Sequence, residues 1–255
     1  MSDTIRVTLV ANAGLLLEYH GTVLLLDGIY GAEGHPFSPL PPQTWQQMKA
    51  GAPPFERVDA LLFTHLHPDH FSPEMTMEYL QHRNVRGVFL PNARAVEESG
   101  LADYLTAHNI PCAALSEQTE RTGFRITPEI TVRAIQTRHL DKQYENILHI
   151  CYLITFGNKT LLFTSDLDYV TEDLHRLADT RLDAVFVNPL FFGALRRGRF
   201  FSGKLNTQHI VVYHIPFEGN DRLGIRKNLS RDLEQWPTPS VRTDALKEPF
   251  QQLLL

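Results

Sequence analysis

The sequence HLHPDH, which begins at His65, constrains this chain more than any other feature. Three histidines and one aspartate fall within six residues, directly after an apolar run that has the composition of a buried strand. Because alternate residues of an extended chain project to the same side, His65 and His67 can both point to one cation. Four ligand-type side chains at this spacing favour a metal site over a turn with solvated histidines.

The residues after this cluster predict a sharp turn into a helix. Pro68 fixes its own φ and disfavours helical geometry at the residue before it. Ser72 is a typical N-cap residue and Pro73 is favoured at the first helical position, so a helix should begin there. Asp69 and His70 therefore lie in the turn between strand and helix.

The chain has the size and composition of one folded domain. Its 255 residues are 43% hydrophobic and 21% charged, which is ordinary for a globular protein. We therefore expect a single domain over residues 1–255. Strand-like and helix-like segments alternate after the cluster, which predicts an α/β fold.

The first half of the chain reads as a strand meander followed by alternating elements. Six prolines between Ile29 and Phe55 predict an ordered surface excursion, which is a candidate wall of the site or, alternatively, a purely structural segment. In chain order the expected elements are the strands RVTLVA, GLLLEY and TVLLLD, a helix at QTWQQMKAG, the strand that ends at Phe63, a helix over Pro73–His82, the strand GVFLP, helices over Ala93–Ser99 and Leu101–His108, and the strand IPCAAL.

The second half begins with strands and ends with mixed elements. A GNK turn joins two of the strands as a hairpin. The expected elements are strands in GFRITPEITVRAIQTRH, ILHICYLITF and KTLLFTSD, a helix at TEDLHRLA begun by Thr171, the strands DAVFVNP and QHIVVYHI, a helix at RKNLSRDLEQW, and a proline-containing tail.

Charge and composition exclude several classes of partner. The formal charge of −5 gives no general attraction to nucleic acid or to an anionic membrane. The N-terminal text predicts no signal peptide, and no segment predicts a membrane span, so we expect a cytoplasmic protein. Cys112 and Cys151 lie in apolar strand-like text and are expected to be buried small hydrophobes.

Three further ligand-type residues lie where apolar strands end. His139 follows ITVRAIQTR, Asp166 follows TLLFTS, and His214 follows HIVVY. Strand ends in α/β folds are where sites assemble, because the loops converge there while the sheet holds them in place. Each of these residues alone is a weak signal.

Together, the HLHPDH cluster and the three later residues resemble the metallo-β-lactamase superfamily. Its pattern runs His-x-His-x-Asp-His, then a lone His, an Asp and a last His. The spacings of 27 residues from His139 to Asp166 and 48 from Asp166 to His214 match its compact hydrolases. The resemblance implies a four-layer αββα sandwich, and the text TRH…CYLITFGNKTLLFTSD is most similar to the broad branch of metal-dependent hydrolases.

The resemblance also implies a set of metal-ligand roles. Two divalent transition-metal ions would be zinc, with manganese or iron as alternatives. A hydroxide that bridges the ions would attack the substrate, and Asp69 would orient the attacking water. The first ion would take His65, His67 and His139, the second Asp69, His70 and His214, and Asp166 would bridge them.

Three residues complicate this assignment. Ser165 stands where the superfamily usually has glycine before the bridging aspartate, and it is tolerated if the backbone there does not require a positive φ. Asp168 competes with Asp166 for the bridging role, although it lies two residues farther along. His149 competes with His139, but its position inside a strand favours a structural or outer-contact role.

Substrate contacts are expected from the text PLFFGALRRGRFFSGK, which we interpret as a loop. Arg196, Arg197, Arg199 and Lys204 would suit an anionic substrate, with Phe191, Phe192, Phe200 and Phe201 beside them. The competing interpretation is a solvated loop whose Phe side chains enter the core.

We expect a binuclear hydrolase that acts on a small ester, lactone or phosphodiester, as a monomer or homo-oligomer. The alternatives are a mononuclear iron dioxygenase of the same fold acting on persulfides, a nuclease, and a metal-binding module without catalysis. Iron content with oxygen consumption would identify the dioxygenase, and salt-dependent cleavage of RNA or DNA the nuclease.

Overall fold

The structure is a computed structural model, and it describes residues 3–91, 99–114, 123–170, 172–198 and 205–255. The chain divides into two compact units. Unit 1 comprises Met1–Ser116 and Glu248–Leu255, and unit 2 comprises Glu117–Lys247. The helix expected over Ala93–Ser99 lies mostly outside the described residues, as do Thr171, Arg199, Phe200, Phe201 and Lys204.

Unit 1 contains a seven-stranded mixed sheet. Its strands are β1 (Arg6–Ala11), β2 (Gly14–Tyr19), β3 (Thr22–Leu26), β4 (Ala60–Leu62), β5 (Gly87–Leu90), β6 (Cys112–Ala114) and β16 (Gln252–Leu254), in the order β16-β1-β2-β3-β4-β5-β6. The pairs from β16 to β3 are antiparallel, and the pairs from β3 to β6 are parallel. The carboxyl ends of β3, β4 and β5 therefore lie at one edge of the sheet.

The helices of unit 1 start where local signals place them. They are α1 (Pro42–Ala50), α2 (Pro73–His82) and α3 (Leu101–Ala107). Pro73 is the first residue of α2, and the Ser72 hydroxyl accepts a hydrogen bond from the Met75 amide at 3.2 Å. This cap fixes the point at which the chain leaves the HLHPDH turn.

Unit 2 contains a second seven-stranded mixed sheet and a two-stranded one. Its strands are β7 (Phe124–Thr127), β8 (Ile130–Thr137), β9 (His149–Phe156), β10 (Lys159–Phe163), β11 (Arg181–Leu182), β12 (Ala184–Val187), β13 (Asn206–Thr207), β14 (His209–Val212) and β15 (Arg242–Ala245). The larger sheet has the order β15-β14-β12-β10-β9-β8-β7, and β11 pairs with β13. The pairs from β10 to β15 are parallel, so the loops after β10, β12 and β14 emerge at one edge.

The helices of unit 2 pack against each other beside this sheet. They are α4 (Pro189–Arg196) and α5 (Ile225–Glu234), with 3-10 helices at Lys142–Tyr144, His175–Leu177 and Glu218–Asn220. Phe192 of α4 stacks on Trp236 with ring centroids 4.8 Å apart. At the other end of α4, Arg196 Nε lies 2.7 Å from Asp232 Oδ1 of α5.

Several sequence-based expectations for unit 2 are wrong. The text from Pro189 to Arg196 was expected as a loop and forms α4, because Asn188 caps it and Pro189 starts it. The text TEDLHRLA yields only the 3-10 helix His175–Leu177. The proline-containing tail supplies β15 to unit 2, and β16, beyond it, belongs to unit 1.

The two cysteines differ from each other in exposure. Cys112 is exposed, which corrects the expectation that both are buried, and Cys151 is buried. Burial raises the pKa of the Cys151 thiol to about 12. Among the described residues, none of the helices has the length and apolar content that crossing a bilayer requires.

The ion pair between α4 and α5 predicts a stability difference between two neighbouring arginines. Asp232 is buried, so Arg196→Ala leaves a carboxylate without its close partner and should cost about 2 kcal/mol of unfolding free energy. Arg197 Nη1 is 3.9 Å from the same carboxylate and its side chain is more exposed, so Arg197→Ala should cost under about 0.5 kcal/mol. Urea unfolding of both variants measures this, and equal losses would contradict it.

Candidate metal centre

In unit 1, the four ligand-type side chains of the sequence HLHPDH lie in the turn between β4 and α2. His65, Asp69 and His70 are buried, and His67 is partly exposed. The His70 and Phe71 amides both donate to the His67 carbonyl at 3.0 Å, which closes the turn. We call residues 65–70 the ligand loop.

His65 and His67 point at a common position. His65 Nε2 lies 3.1 Å from His67 Nδ1, and the ring planes are 77° apart. Two nitrogens bound to one tetrahedral zinc at 2.0–2.1 Å would be about 3.3 Å apart. The observed separation therefore fits two ligands of one ion.

Asp69 and His70 form a second pair of this kind. Asp69 Oδ2 lies 3.5 Å from His70 Nε2, close to the spacing of two ligands on one ion. Tyr30 is fully buried nearby and donates its hydroxyl to the Ser38 carbonyl at 2.9 Å. Burial, and then the negative charge of Asp69, raise the pKa of Tyr30 well above its usual value, so Tyr30 remains neutral.

The buried carboxylate of Asp27, at the end of β3, orients both pairs. Asp27 Oδ1 accepts the Thr64 amide at 2.8 Å, and Oδ2 accepts the Thr64 hydroxyl at 2.6 Å. Because that hydroxyl donates to Asp27, its oxygen accepts from His65 Nδ1 at 3.0 Å. His70 Nδ1 donates directly to Asp27 Oδ2 at 3.0 Å. In its neutral form, each ring therefore carries its lone pair on Nε2, the nitrogen that faces the neighbouring candidate ligand.

In unit 2, Asp166 lies between two histidines. Asp166 Oδ2 is 3.8 Å from His139 Nε2, and Oδ1 is 3.5 Å from His214 Nε2. His139 Nδ1 donates to the Leu140 carbonyl, which places the lone pair of the neutral ring on Nε2. Each carboxylate oxygen thus has its own histidine, as a carboxylate bridging two ions requires.

The backbone has a left-handed conformation at His214 and at Ser165, the residue before Asp166. Ser165 has φ of 46° and His214 has φ of 58°, so the condition under which serine would be tolerated at 165 is not met. Two hydrogen bonds hold this conformation: the Ser165 amide donates to the Tyr213 hydroxyl at 3.1 Å, and Asn188 Nδ2 donates to the Ser165 carbonyl at 2.9 Å. Strain of this kind is common at functional sites.

The two competing residues lie in other environments. His149 is fully buried and is the first residue of β9, which corrects the expectation that it lies inside a strand. Its Nδ1 lies 2.7 Å from the Thr137 hydroxyl, and its ring meets that of His139 edge to face at 5.7 Å. Asp168 Oδ1 accepts the Val170 amide at 3.0 Å, which forms a local turn. Both contacts are structural in kind.

The described residues that were expected to bind substrate contact other side chains of unit 2. Phe191 and Phe192 are fully buried, and Phe191 stacks on Tyr169 at 5.8 Å. Arg196 pairs with Asp232, and Arg197 extends toward the same carboxylate. Contacts within unit 2 are enough to explain the positions of these four side chains. The role of the four side chains in substrate binding stays a prediction.

Sequence reasoning missed the residues that hold the candidate ligands in place. Asp27 and Thr64 orient two histidines, and Asn188 connects α4 to the residue before Asp166. Two signals were present in the sequence: Asp27 ends the apolar run TVLLLD, and Asn188 precedes a proline in the text NPLFF. Both are polar residues at strand ends, the same feature that pointed to the candidate ligands.

Comparison with known proteins gives a family match. A family model described as a beta-lactamase superfamily domain matches residues 25–214, which is most of the chain and includes all seven ligand-type residues. No curated protein matches the chain.

Solved structures share the fold at low sequence identity. Igni18, described as a novel metallo hydrolase from Ignicoccus hospitalis, is 9% identical with a TM-score of 0.61, over 99% of this chain and 98% of that one. Zn²⁺-bound PqqB from Methylobacterium extorquens is 15% identical with a TM-score of 0.61, over 94% and 86%. CmlA, a diiron β-hydroxylase from Streptomyces venezuelae, is 18% identical with a TM-score of 0.63, over all of this chain and 55% of CmlA.

The position of Asp27 predicts that its replacement weakens metal binding, and a matched control variant is available. Asp27→Asn removes the charge that fixes the His65 and His70 rings, so metal affinity should fall about 10- to 100-fold. Asp59→Asn is the control, because Asp59 is also a buried carboxylate of unit 1 that accepts a backbone amide, at 2.9 Å from Val23. Competition with a chromophoric zinc chelator measures affinity in both. Equal weakening in the two variants would show general destabilisation instead.

The left-handed backbone at residue 165 predicts an asymmetric response to substitution. Ser165→Gly should keep or raise the unfolding free energy, by up to about 1 kcal/mol, because glycine adopts this φ without strain. Ser165→Val should lose more than about 2 kcal/mol, since a β-branched residue is an outlier there. Thermal unfolding of both variants tests this. A glycine variant as unstable as the valine variant would contradict the strain argument.

Proposed function

The chain belongs to the metallo-β-lactamase superfamily, and on this premise we propose that it is a hydrolase that uses two divalent metal ions. The predicted α/β fold class of that superfamily is confirmed by the family match and by the solved structures. The matched segment includes parts of both units, which supports the proposal that they act as one catalytic domain.

The observation that carries the two-metal proposal is the position of Asp166. Its two oxygens face different histidines, His139 and His214, so one carboxylate can contribute to two ions. Unit 1 contributes two contacting pairs, His65 with His67 and Asp69 with His70, and the His65 and His70 rings lie 4.1 Å apart. Two pairs and a two-sided carboxylate match the requirements of a binuclear centre.

We assign the ligands on this basis. His65, His67 and His139 would hold one ion, Asp69, His70 and His214 the other, and Asp166 would contact both. Nitrogen ligands dominate this set, which favours zinc, while the carboxylates also suit manganese or iron. PqqB with zinc and CmlA with two irons support keeping both metals in the proposal.

The residues of the chain would contribute orientation, charge and proton acceptance. When bound, the two metal ions would supply a nucleophile derived from water at neutral pH and would compensate the negative charge that develops on the substrate. Asp69 can accept a hydrogen bond from the attacking water and so fix its direction. Through the hydrogen bonds to Nδ1, Thr64 and Asp27 would hold the Nε2 side of His65 and His70 toward the metal position, and the hydroxyl of Tyr30 remains protonated near Asp69.

The substrate class we propose is a small ester, lactone or phosphodiester. These bonds need an activated water and stabilisation of an oxyanion, both of which such a centre provides without a protein nucleophile. Arg197, with its partly exposed guanidinium, is the better candidate for binding an anionic group, since Arg196 is held by Asp232 at 2.7 Å.

An iron-dependent oxygenase is the second candidate function. The similarity in fold to CmlA supports it, since that protein is a diiron β-hydroxylase. Oxygen consumption by the iron-loaded protein, with persulfide and with CmlA-type hydroxylation substrates, distinguishes it from a hydrolase. The hydrolase requires neither oxygen nor a reductant.

Metal content and a substrate panel test the main proposal. Purified protein is reconstituted with zinc, manganese or iron, and metal is counted by elemental analysis. Two ions per chain, together with turnover of a lactone, a phosphodiester or a thioester, would support the binuclear hydrolase. One ion per chain under all three loadings would reject it.

Substitution of Asp166 gives the sharpest prediction about the ligand assignment. Asp166→Asn removes the charge shared by both ions and should lower kcat at least ~10²-fold while the fold is retained. Asp168→Asn is the matched control and should change kcat less than about twofold, because Asp168 is engaged in a local turn. Hydrolysis rate and metal content are measured for both at saturating metal. Damage by Asp168→Asn alone would mean that the ligand assignment is wrong.

A further inference from the structure

A second concave site lies in unit 1, at the end of the parallel strands opposite the ligand loop. It is a cavity of about 440 Å³ lined by residues 56–59, which precede β4, and residues 82–86, which precede β5. The ligand loop follows the other end of β4. At about 3.3 Å per extended residue, Asp59 and Thr64 are roughly 16 Å apart along the strand, so this cavity is separate from the proposed centre.

Positive charge dominates the lining of this cavity. Arg57, Arg83 and Arg86 stand against two acidic residues, Glu56 and Asp59. Glu56 is exposed, so solvent screens its charge, whereas Asp59 is buried. A group that enters the cavity therefore meets mainly guanidinium.

Asp59 is the carboxylate that positions two of these arginines. It accepts the Val23 amide at 2.9 Å and both Nε and Nη2 of Arg57 at 2.8 to 2.9 Å. Arg86 Nε lies 3.1 Å from the same carboxylate. One carboxylate neutralises one guanidinium, so the Arg57 and Arg86 pair retains one excess positive charge.

Arg83 adds a second positive charge, and within the described part of the chain it forms no ion pair with a carboxylate. Its Nη2 donates to the Glu56 carbonyl at 2.6 Å, and a carbonyl is a neutral acceptor. The same side chain extends toward Phe55, whose carbonyl is 3.5 Å away. Its head group is thereby fixed at the cavity while its charge is retained.

The positions of Arg57 and Arg86 leave N–H donors for a ligand. They also reduce the side-chain entropy that is lost when a ligand binds. A guanidinium has five N–H groups, and the contact that Arg86 makes with Asp59 is through Nε. The side chains of Arg57 and Arg86 are 50% and 59% exposed, so the remaining groups are accessible. Because Asp59 already holds both planes, little side-chain entropy is lost on binding.

We propose that this cavity binds a phosphate group, either inorganic phosphate or the phosphate of a small ester. Guanidinium groups bind phosphate oxygens in pairs, and several arginines around one cavity can serve a tetrahedral anion from different sides. The site is independent of the proposed metal centre and of the reaction there. It would respond to the concentration of a phosphorylated metabolite.

Titration with inorganic phosphate, monitored by the Nε–Hε NMR signals of arginine, tests the proposal. The metal-loaded protein is titrated with phosphate and, at equal ionic strength, with chloride. We expect saturable shifts at Arg57 and Arg86 with phosphate alone, and Arg86→Ala should weaken the apparent affinity about tenfold. The control is Arg6→Ala, which removes an exposed arginine of unit 1 that pairs with Glu18 at 2.8 Å and should leave the affinity unchanged.

Each outcome decides the proposal. A response that persists in both Arg86→Ala and Arg83→Gln would place the phosphate elsewhere, for example at the metal ions, and would overturn it. The absence of a phosphate-specific response in the unsubstituted protein, or an equal loss in Arg6→Ala, would also overturn it. A parallel titration with methyl phosphate separates the two sources, since tighter binding of the ester than of inorganic phosphate identifies an ester as the ligand.

Discussion

The ligand loop depends on one buried carboxylate, that of Asp27. It stands at the end of β3 and gathers the backbone of Thr64, the hydroxyl of Thr64 and the ring of His70 around two oxygens. A buried charge is stable only when it is fully hydrogen-bonded, so these partners are held as firmly as they hold Asp27. The residue after β3 is not itself a candidate ligand, but its carboxylate orients His65 and His70 on the ligand loop, which follows the neighbouring strand β4.

In each unit the candidate metal ligands already lie next to one another in the structure without an ion. His65 lies against His67 and Asp69 against His70, with the His65 and His70 rings 4.1 Å apart, and in unit 2 the two oxygens of Asp166 face different rings. Outer hydrogen bonds fix several of these groups, so metal binding would require little reorganisation. The left-handed backbone at Ser165 and His214 shows that this arrangement includes some backbone strain.

The sequence predicted most of the strands, the helix α2 and the sharp turn that holds residues 65–70 because those features are local. Periodicity shows a strand, and Ser72 with Pro73 shows where a helix begins. The sequence could not show that Pro189–Arg196 is helical, because its arginines and phenylalanines resemble a binding loop until Asp232 is seen beside Arg196. Nor could it show the φ of Ser165 or the role of Asp27, since both depend on segments distant in the chain.

The pairing of β16 with β1 has a consequence for how the protein is made. Unit 1 is discontinuous, and its outermost strand is separated from the other six by the whole of unit 2. Translation proceeds at about 5–20 residues per second, so β1 waits on the order of ten seconds for its partner while unit 2 is synthesised. During that interval the outer edge of β1 presents unpaired amides and carbonyls that another chain could join. The nascent chain therefore has its period of greatest aggregation risk after unit 1 is almost complete, and chaperone contact at β1 would matter most then.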